Sequence, residues 1–581
     1  MLEKSGSRLI LPILALAATL TVLLAPELLG RFSLNVLTRS MIYAILAVTV
    51  DLLWGFAGIL TFGQAAFFGI GAYATAMVLT HLGATPALFA LALSLAILIP
   101  FIAGLLVGWL SFYHGSTALY ATVISLVFPI VVTQLVFSGG AWTGSSSGLV
   151  GYETLPLDLG GFFRLTGLCL VGIAISALLL ARSETGKLLL AIRDNETRLA
   201  YLGIDTTRIK IALTAGLAGV CGLAGFLYAN ASGVVAPENT GFVFGTELVI
   251  WTALGGRGTV LGPVLGTIAI DYLSASLSGD LPFLWELVIG SLFVVMIILL
   301  PQGLASLVTR FLPKRKRSPQ LDATRLPIGK EHAGEPILSV ERLGKSYGSL
   351  AVLTGIDLKV SRGELVSLVG PNGAGKTTLM RCLSDGTEPV TGAIAIAGRS
   401  IAGLEPNRIV ALGVGRKFQV ASIFDSLSVG ECLRMARLRQ EPASLVSQGL
   451  SLALPQAARD ILDLTGLTGM LDRPVALLSH GQRQALELAM VVCLEPSLIL
   501  LDEPTAGLTK TERTTIGTIL RKLTDEMGFA AILVEHDLDF VREISSRIVV
   551  LHQGKLVLDG TVEDVVNSQT VRNIYSGGAH A

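Results

Sequence analysis

Runs of about 20 apolar residues, the length a helix needs to cross bilayer hydrocarbon, recur along this chain from Leu9 to Pro301 and then stop. No other feature limits the fold as strongly. Across 581 residues the composition is 52% hydrophobic and 15% charged, against about 25% charge in an ordinary soluble domain. From about Lys314 onward charge returns to an ordinary frequency. The average therefore hides two parts. A transmembrane domain over residues 1–310 is joined to a soluble domain over 336–581 by a charged linker, 311–335, that contains Pro313, Pro319 and Pro327.

Candidate spans lie near 9–29, 35–57, 64–81, 86–110, 117–137, 165–182, 211–230, 242–277 and 283–302. The first follows Lys4 and Arg8 like a signal peptide, but it is long enough to span and lacks a small-residue cleavage site, so it reads as a retained helix. Segment 242–277 is too long for one span and is broken by Leu254-Gly255-Gly256-Arg257-Gly258-Thr259. Short loops rich in Lys and Arg stay in the cytoplasm. Arg182, Lys187, Arg193, Arg198, Arg208 and Lys210 place one loop there, and Arg310, Lys314, Arg315, Lys316 and Arg317 place the tail after 283–302 there. An even number of crossings must separate them, so 242–277 crosses twice or re-enters, with a cytoplasmic turn at Arg257. Asp51, Glu247, Asp271 and Glu286 stand in apolar surroundings, where a carboxylate at the bilayer centre costs about 2.5–3.5 kcal/mol. Each therefore lies near an interface, is protonated, or lines a polar path.

The net charge is zero, so nothing points to a nucleic-acid partner. Cys169, Cys221, Cys382, Cys432 and Cys493 form no CxxC pair, and neither a disulfide framework nor a zinc site is expected.

Beyond Ile337 short apolar strands alternate with amphipathic helices, as in an α/β domain. The strand-like run Leu365–Val369 enters Gly370-Pro371-Asn372-Gly373-Ala374-Gly375-Lys376-Thr377-Thr378, and Leu379-Met380-Arg381 continues as a helix. This is a P-loop in its proper context. Gly370, Gly373 and Gly375 let backbone N–H groups, with that of Asn372 among them, turn toward phosphates. The helix start that carries Lys376, Thr377 and Thr378 adds a positive dipole end. Lys376 reaches the β- and γ-phosphates of ATP, and Thr377 ligates Mg2+. A second apolar run, Leu498–Leu501, ends in Asp502-Glu503. Two acids at the C-terminal end of a parallel strand fit Asp502 as an Mg2+ ligand through water and Glu503 as the general base for the attacking water.

Between these runs lies Leu478-Ser479-His480-Gly481-Gln482-Arg483, which resembles the Leu-Ser-Gly-Gly-Gln signature of ABC ATPases with His480 in place of the first glycine. The other elements of that family match in order over roughly 336–575. The resemblance implies that Ser479, Gly481 and Gln482 meet ATP bound to a second ATPase subunit. It also implies that Gln419 senses Mg2+ and contacts the permease, and that His536 contacts the γ-phosphate. Tyr347 stands where the family stacks a ring on adenine; the plain alternative is an ordinary core aromatic. Thr509 replaces the usual aspartate of the D-loop, which bears on communication between ATP sites.

ABC exporters share the fused order but resemble six long helices with charged cytoplasmic loops. Here loops are short and more than six spans are expected, which favours an importer. The run Asp51–Tyr73, with Ala191-Ile192-Arg193-Asp194-Asn195-Glu196 and Leu254–Thr259, is similar to the permeases of the branched-chain amino-acid and urea/amide ABC importers, over nearly all of 30–305. The small residues Gly55, Gly58, Gly63, Gly69 and Gly71 allow close helix packing or meet substrate directly. Loop 186–208 is the candidate for docking onto an ATPase. The resemblance implies an all-α polytopic membrane domain fused to an α/β P-loop ABC ATPase. It further implies a second permease subunit, a second ATPase subunit and an extracytoplasmic binding protein, in a bacterial inner membrane with the ATPase cytoplasmic. The substrate that the resemblance implies is a branched-chain or other amino acid, with urea or a short amide as the alternative. A contrasting class is an ABC exporter, or an ATP-gated membrane protein that does not pump.

Overall fold

The computed structural model describes residues 3–113, 118–280, 303–305, 319–326, 336–449 and 451–576, with isolated positions between 287 and 299. Two compact units emerge. One comprises Met1–Arg193 with Thr207–Arg315; the other comprises Asp194–Thr206 with Lys316–Ala581.

The first unit is helical. Its elements are α1 (Glu3–Leu28), α2 (Arg31–Asp51), α3 (Gln64–His81), α4 (Pro86–Phe112), α5 (Ala118–Ser138), α6 (Leu159–Arg182), the first part of α7 (Glu184–Ala200), α8 (Thr206–Ser232), α9 (Phe242–Gly255) and α10 (Leu261–Asp280). A short antiparallel pair, β1 (Leu149–Val150) with β2 (Val234–Val235), ties two of the connections. Helix α2 is the core element: every residue from Ser40 to Asp51 is buried, packed by α6, α9 and α10. Small residues set how closely the helices approach. A Cβ on Gly71 of α3 would lie 2.5 Å from the carbonyl oxygen of Gly222 on α8, so the two backbones touch.

Among the described residues, six helices are long and apolar enough to cross a membrane: Arg31–Phe56, Pro86–Phe112, Leu119–Ser138, Leu159–Arg182, Thr206–Ser232 and Leu261–Ser278. The expected span at 9–29 lies on the 26-residue helix α1 (Glu3–Leu28), and Phe242–Gly255 is a shorter apolar helix of 14 residues. The expected span at 64–81 is a helix of 18 residues but is not among the six. The span at 283–302 is described only at isolated positions, and Glu286 lies outside the described residues.

The over-long segment 242–277 resolves into α9 and α10 joined by a turn at 256–260. Asp51 organises that turn. Its carboxylate accepts the backbone N–H of Gly258 and, at 2.9 Å, that of Val260. Nearby, Arg193 Nη1 donates to the Gly55 carbonyl at 2.6 Å. The Arg257 turn and Arg193 therefore share one end of the bundle.

The second unit is α/β. A six-stranded sheet runs in the order β14 (Lys555–Gly560), β13 (Arg547–His552), β6 (Leu365–Val369), β12 (Ala530–Val534), β11 (Leu498–Asp502), β9 (Val414–Lys417), all parallel except β14. Every residue of β6, β11 and β12 is buried, as a parallel sheet covered on both faces requires. A second, antiparallel sheet runs β5 (Leu350–Ser361), β4 (Pro336–Tyr347), β7 (Thr391–Ile396), β8 (Arg399–Ser400). The stretch expected to be a linker, 311–335, is described only at 319–326, where part of it forms a strand. Strand β3 (Gln320–Leu326) pairs in parallel with β10 (Ser451–Pro455), and Ser451 Oγ bonds Asp322 at 3.2 Å. Backbone pairing with a partner 129 residues away leaves no local signature in the sequence.

Candidate active site

Strand β6 feeds the loop Gly370–Gly375 into the helix Lys376–Ser384. A side chain at Gly370 would run into the Leu551 carbonyl, so only glycine fits there, while Gly373 at φ +80° faces open space. Asn372, Gly373 and Thr377 are exposed; Thr378 is half-buried. Lys376 is buried and folded onto its own loop, its Nζ donating to the carbonyls of Gly370 at 2.7 Å and Pro371 at 3.0 Å. Burial lowers the pKa of this ammonium, while the carboxylates of Glu503 and Asp502 act in the opposite direction.

Strand β11 ends by delivering two acids that behave differently. Asp502 is buried, and its Oδ1 has no hydrogen-bond partner among the described residues. Burial raises its pKa, with Arg416, Lys417 and Lys376 opposing and Glu503 reinforcing. Glu503 takes φ +44°, a left-handed conformation unfavourable for a residue with a side chain. Its own N–H is held by the Val534 carbonyl at 2.9 Å. The turn aims its carboxylate outward, where Oε2 accepts from Gln419 Nε2 at 2.8 Å and Oε1 meets His536 Nε2 at 2.8 Å. Two residues singled out from separate parts of the sequence, Gln419 and His536, thus converge on the carboxylate of a third.

Sequence reasoning missed Glu535. It is buried and accepts from the Thr505 N–H at 3.0 Å and the Thr505 hydroxyl at 2.6 Å, which fixes the backbone just after Glu503. The signal was available, since Glu535 ends the apolar run of β12 immediately before His536.

Ser479 caps the helix His480–Val492: its Oγ accepts from Gln482 N at 3.2 Å, and Gln482 Oε1 accepts from Ser479 N at 3.1 Å. Gly481 lies against the Glu512 carboxylate, which would have to shift to admit a side chain. Among the described residues no hydrogen bond joins Ser479, Gly481 or Gln482 to the P-loop. The two departures from the family pattern have local reasons. His480 Nε2 lies 3.2 Å from the Ala506 carbonyl, over Gly507, and Thr509 caps the helix Lys510–Arg521 in a reciprocal box with Glu512. Tyr347 is half-exposed at the end of β4, with Lys345 Nζ 4.9 Å from its ring centre.

Residues 32–299 match the family model described as "Branched-chain amino acid transport system / permease component", and 353–506 match that of the ABC transporters. The ATP-binding protein BraF of Pseudomonas aeruginosa, of high-affinity branched-chain amino-acid transport, is 34% identical over 253 residues, 42% of this chain and 99% of BraF. LivG of Escherichia coli, named for the same role, is 34% identical over 254 residues, again 42% of this chain and 99% of the relative. A nucleotide-free ATP-binding cassette is similar at 23% identity over 41% of this chain and 98% of that structure, TM-score 0.35. The chain belongs to the branched-chain amino-acid ABC transporter family, with permease and ATP-binding parts in one polypeptide.

In this transporter chain the segment Asp194–Thr206, although it follows a membrane helix, folds as part of the ATP-binding unit. Helix α7 kinks at Asn195 (φ −161°, ψ 84°). Asp194 then accepts from Ser426 N at 2.7 Å and Ser426 Oγ at 2.8 Å, and Asn195 Nδ2 donates to Ser422 Oγ at 2.8 Å. Arg198 is wholly buried. It donates to the Arg416 carbonyl at 2.9 Å and pairs at 3.2 Å with Glu487, which is equally buried on the helix capped by Ser479. The same Glu487 oxygen accepts the N–H of Phe418, next to Gln419, at 3.2 Å. Burial pushes the pKa of Arg198 down and that of Glu487 up.

Proposed function

We propose that this chain is one permease-plus-ATPase subunit of an importer that uses ATP hydrolysis to carry branched-chain or other amino acids across a bacterial inner membrane. The observation that carries the enzymatic half is the Glu503 carboxylate held between Gln419 and His536 at 2.8 Å from each. A carboxylate so oriented takes the proton of an attacking water, and the left-handed turn at Glu503 keeps it aimed. Lys376, freed from Gly370 and Pro371, meets the β- and γ-phosphates. The backbone N–H groups from Gly370 to Thr378 cradle the phosphates. Tyr347 stacks on adenine, and His536 contacts the γ-phosphate.

The chemistry of the donors fits Mg2+: a buried carboxylate oxygen without a partner, a hydroxyl and an amide are the oxygen ligands a hard cation takes. Asp502, Thr377 and Gln419 would hold it, and when bound it neutralises phosphate charge. Ser479, Gly481 and Gln482 cover the nucleotide of a second ATPase subunit. The segment Asp194–Thr206 carries the resulting closure toward the helices, because Glu487 links Arg198 to the residue beside Gln419. A second permease subunit and an extracytoplasmic binding protein complete the transporter. The names of the relatives BraF and LivG support amino acids as cargo.

The test is uptake into liposomes bearing the complex purified with its binding protein, energised by ATP, with leucine and urea in turn. ATP-dependent accumulation of leucine supports the reading. Accumulation of urea alone replaces the substrate, and ATP-gated leakage without accumulation refutes pumping.

A further inference from the structure

Two charged side chains sit deep in the helical unit and face each other. Arg39 lies on α2 about 12 Å from its first residue, and Asp271 lies on α10 about 15 Å from its first residue, at 1.5 Å per residue. Both are far from the helix ends, in segments long and apolar enough to span a membrane. Arg39 Nη2 meets Asp271 Oδ1 at 3.1 Å and its Nε meets Oδ2 at 3.4 Å, while Ser40 Oγ donates to Oδ2 at 2.6 Å. Six residues earlier on α2 and one later on α10, Ser33 Oγ and Tyr272 OH bond at 3.1 Å, so the α2–α10 seam carries further polar groups.

The pair is not sealed. The Asp271 side chain is 8% exposed, but that of Arg39 is 43% exposed, and its Nη1 makes no hydrogen bond among the described residues. A guanidinium edge at this depth needs a polar surrounding, because exposing it to lipid is costly. Behind it stands an apolar wall. The Tyr43 ring centre is 6.0 Å from the guanidinium carbon, and Tyr43 packs on Phe244 at 4.9 Å and Trp251 at 5.8 Å.

We propose that Arg39 and Asp271 form a recognition site for a free α-amino acid within the translocation path, Arg39 taking the α-carboxylate and Asp271 the α-ammonium. This rests on the amino-acid reading of the transporter and adds the site. Charge balance selects the ligand class. Opening the pair strands one positive and one negative group, and only a ligand that carries both charges replaces both partners without changing the net charge of the path. A zwitterion does so; urea and simple ions do not. The aromatic wall favours an aliphatic side chain. No covalent step is involved, and the pair recloses when the amino acid leaves.

The experiment uses the complete complex with its binding protein in liposomes, and measures leucine taken up per ATP hydrolysed together with the ATPase stimulation given by leucine-loaded binding protein. Arg39→Gln and Asp271→Asn are each expected to lower uptake per ATP by roughly tenfold, the loss typical of one charge-assisted contact, with stimulated hydrolysis kept. The charge-neutral double variant Arg39→Gln/Asp271→Asn decides between recognition and mere structure. It removes both charges at once, so a structural pair would regain coupling, whereas a recognition site stays impaired. Recovery in the double variant, or full coupling in either single variant, overturns the proposal. The double variant also covers the case in which a single variant, left with one unpaired charge, fails to assemble. A native complex that accumulates no leucine refutes the amino-acid reading itself, an outcome distinct from native uptake with an unimpaired double variant.

Discussion

Two arginine–carboxylate pairs of similar length occupy opposite extremes of solvation. Arg198–Glu487 in the ATP-binding unit, at 3.2 Å, is dry on both sides, while Arg39–Asp271 in the helical unit, at 3.1 Å, leaves its cation half open. The first also engages several backbone groups, among them the Arg416 carbonyl and the Phe418 N–H, so it is woven into the chain around it. The second is held by side chains alone, the pair itself and Ser40. A sealed pair can only be broken at high cost, whereas an open one can exchange partners. Geometry alone does not separate a fastener from a docking point; access does.

The largest effect that sharpens this contrast lies where a carboxylate is both held and reachable. Glu503→Gln keeps the contacts with Gln419 and His536 in shape but removes the base, and ATP turnover should fall roughly 10²–10⁴-fold while ATP binding persists. Steady-state hydrolysis beside equilibrium nucleotide binding checks this, and unchanged turnover would remove Glu503 from its role. Next comes the sealed pair. Arg198→Met leaves Glu487 buried with only Lys417, 4.0 Å away, to offset its charge, and the chain should lose about 3 kcal/mol of stability, read from chemical unfolding in detergent. A loss inside experimental error would mean that water reaches Glu487 and that the contrast with Arg39 is false. Asp51→Asn should cost less, about 1–3 kcal/mol, because one of the two N–H donors of the Gly258–Val260 turn keeps an acceptor; the thermal midpoint of the purified chain reports it. The smallest effect is a shift in pH dependence. Burial holds the Asp502 carboxyl above its ordinary value, so on acidification it takes up a proton before an exposed aspartate would. Mg2+-dependent ATP affinity should then weaken as pH falls while still above the usual aspartate value of about 3.9, and affinity measured in chelator should not follow it. Parallel curves would show that Asp502 is not a ligand.

What the sequence displays and what it hides follow from distance along the chain. Lys376, Thr377, Asp502 and Glu503 sit in short local patterns, each an apolar strand running into its polar end, and such patterns can be read directly. Gln419 and His536 could be placed by order alone, and they meet at Glu503. Arg198 and Glu487 are 289 residues apart, and each looks like an ordinary surface charge until the fold buries both. Asp51 and Asp271 were conspicuous as acids among apolar residues, but their partners, the N–H groups of a turn and Arg39, were not, because helix packing rather than spacing brings them together. The break at Gly255–Gly258 announced two helices instead of one, since a glycine-rich turn is a local event. Strand β3 was hidden because a short run of mixed polar and apolar residues, between prolines and charges and paired with a distant edge, looks like a linker.

That strand has a practical consequence for dissecting the chain. Residues 320–326 complete the pairing of β10, and Pro319 is buried next to Gly430. An excised ATP-binding piece that begins at Pro336 would carry Ser451–Pro455 as a bare strand edge, a template for pairing with other chains. A piece that begins ahead of Pro319 brings its own cover, and the two should part ways in solution, the shorter one clumping where the longer stays dispersed.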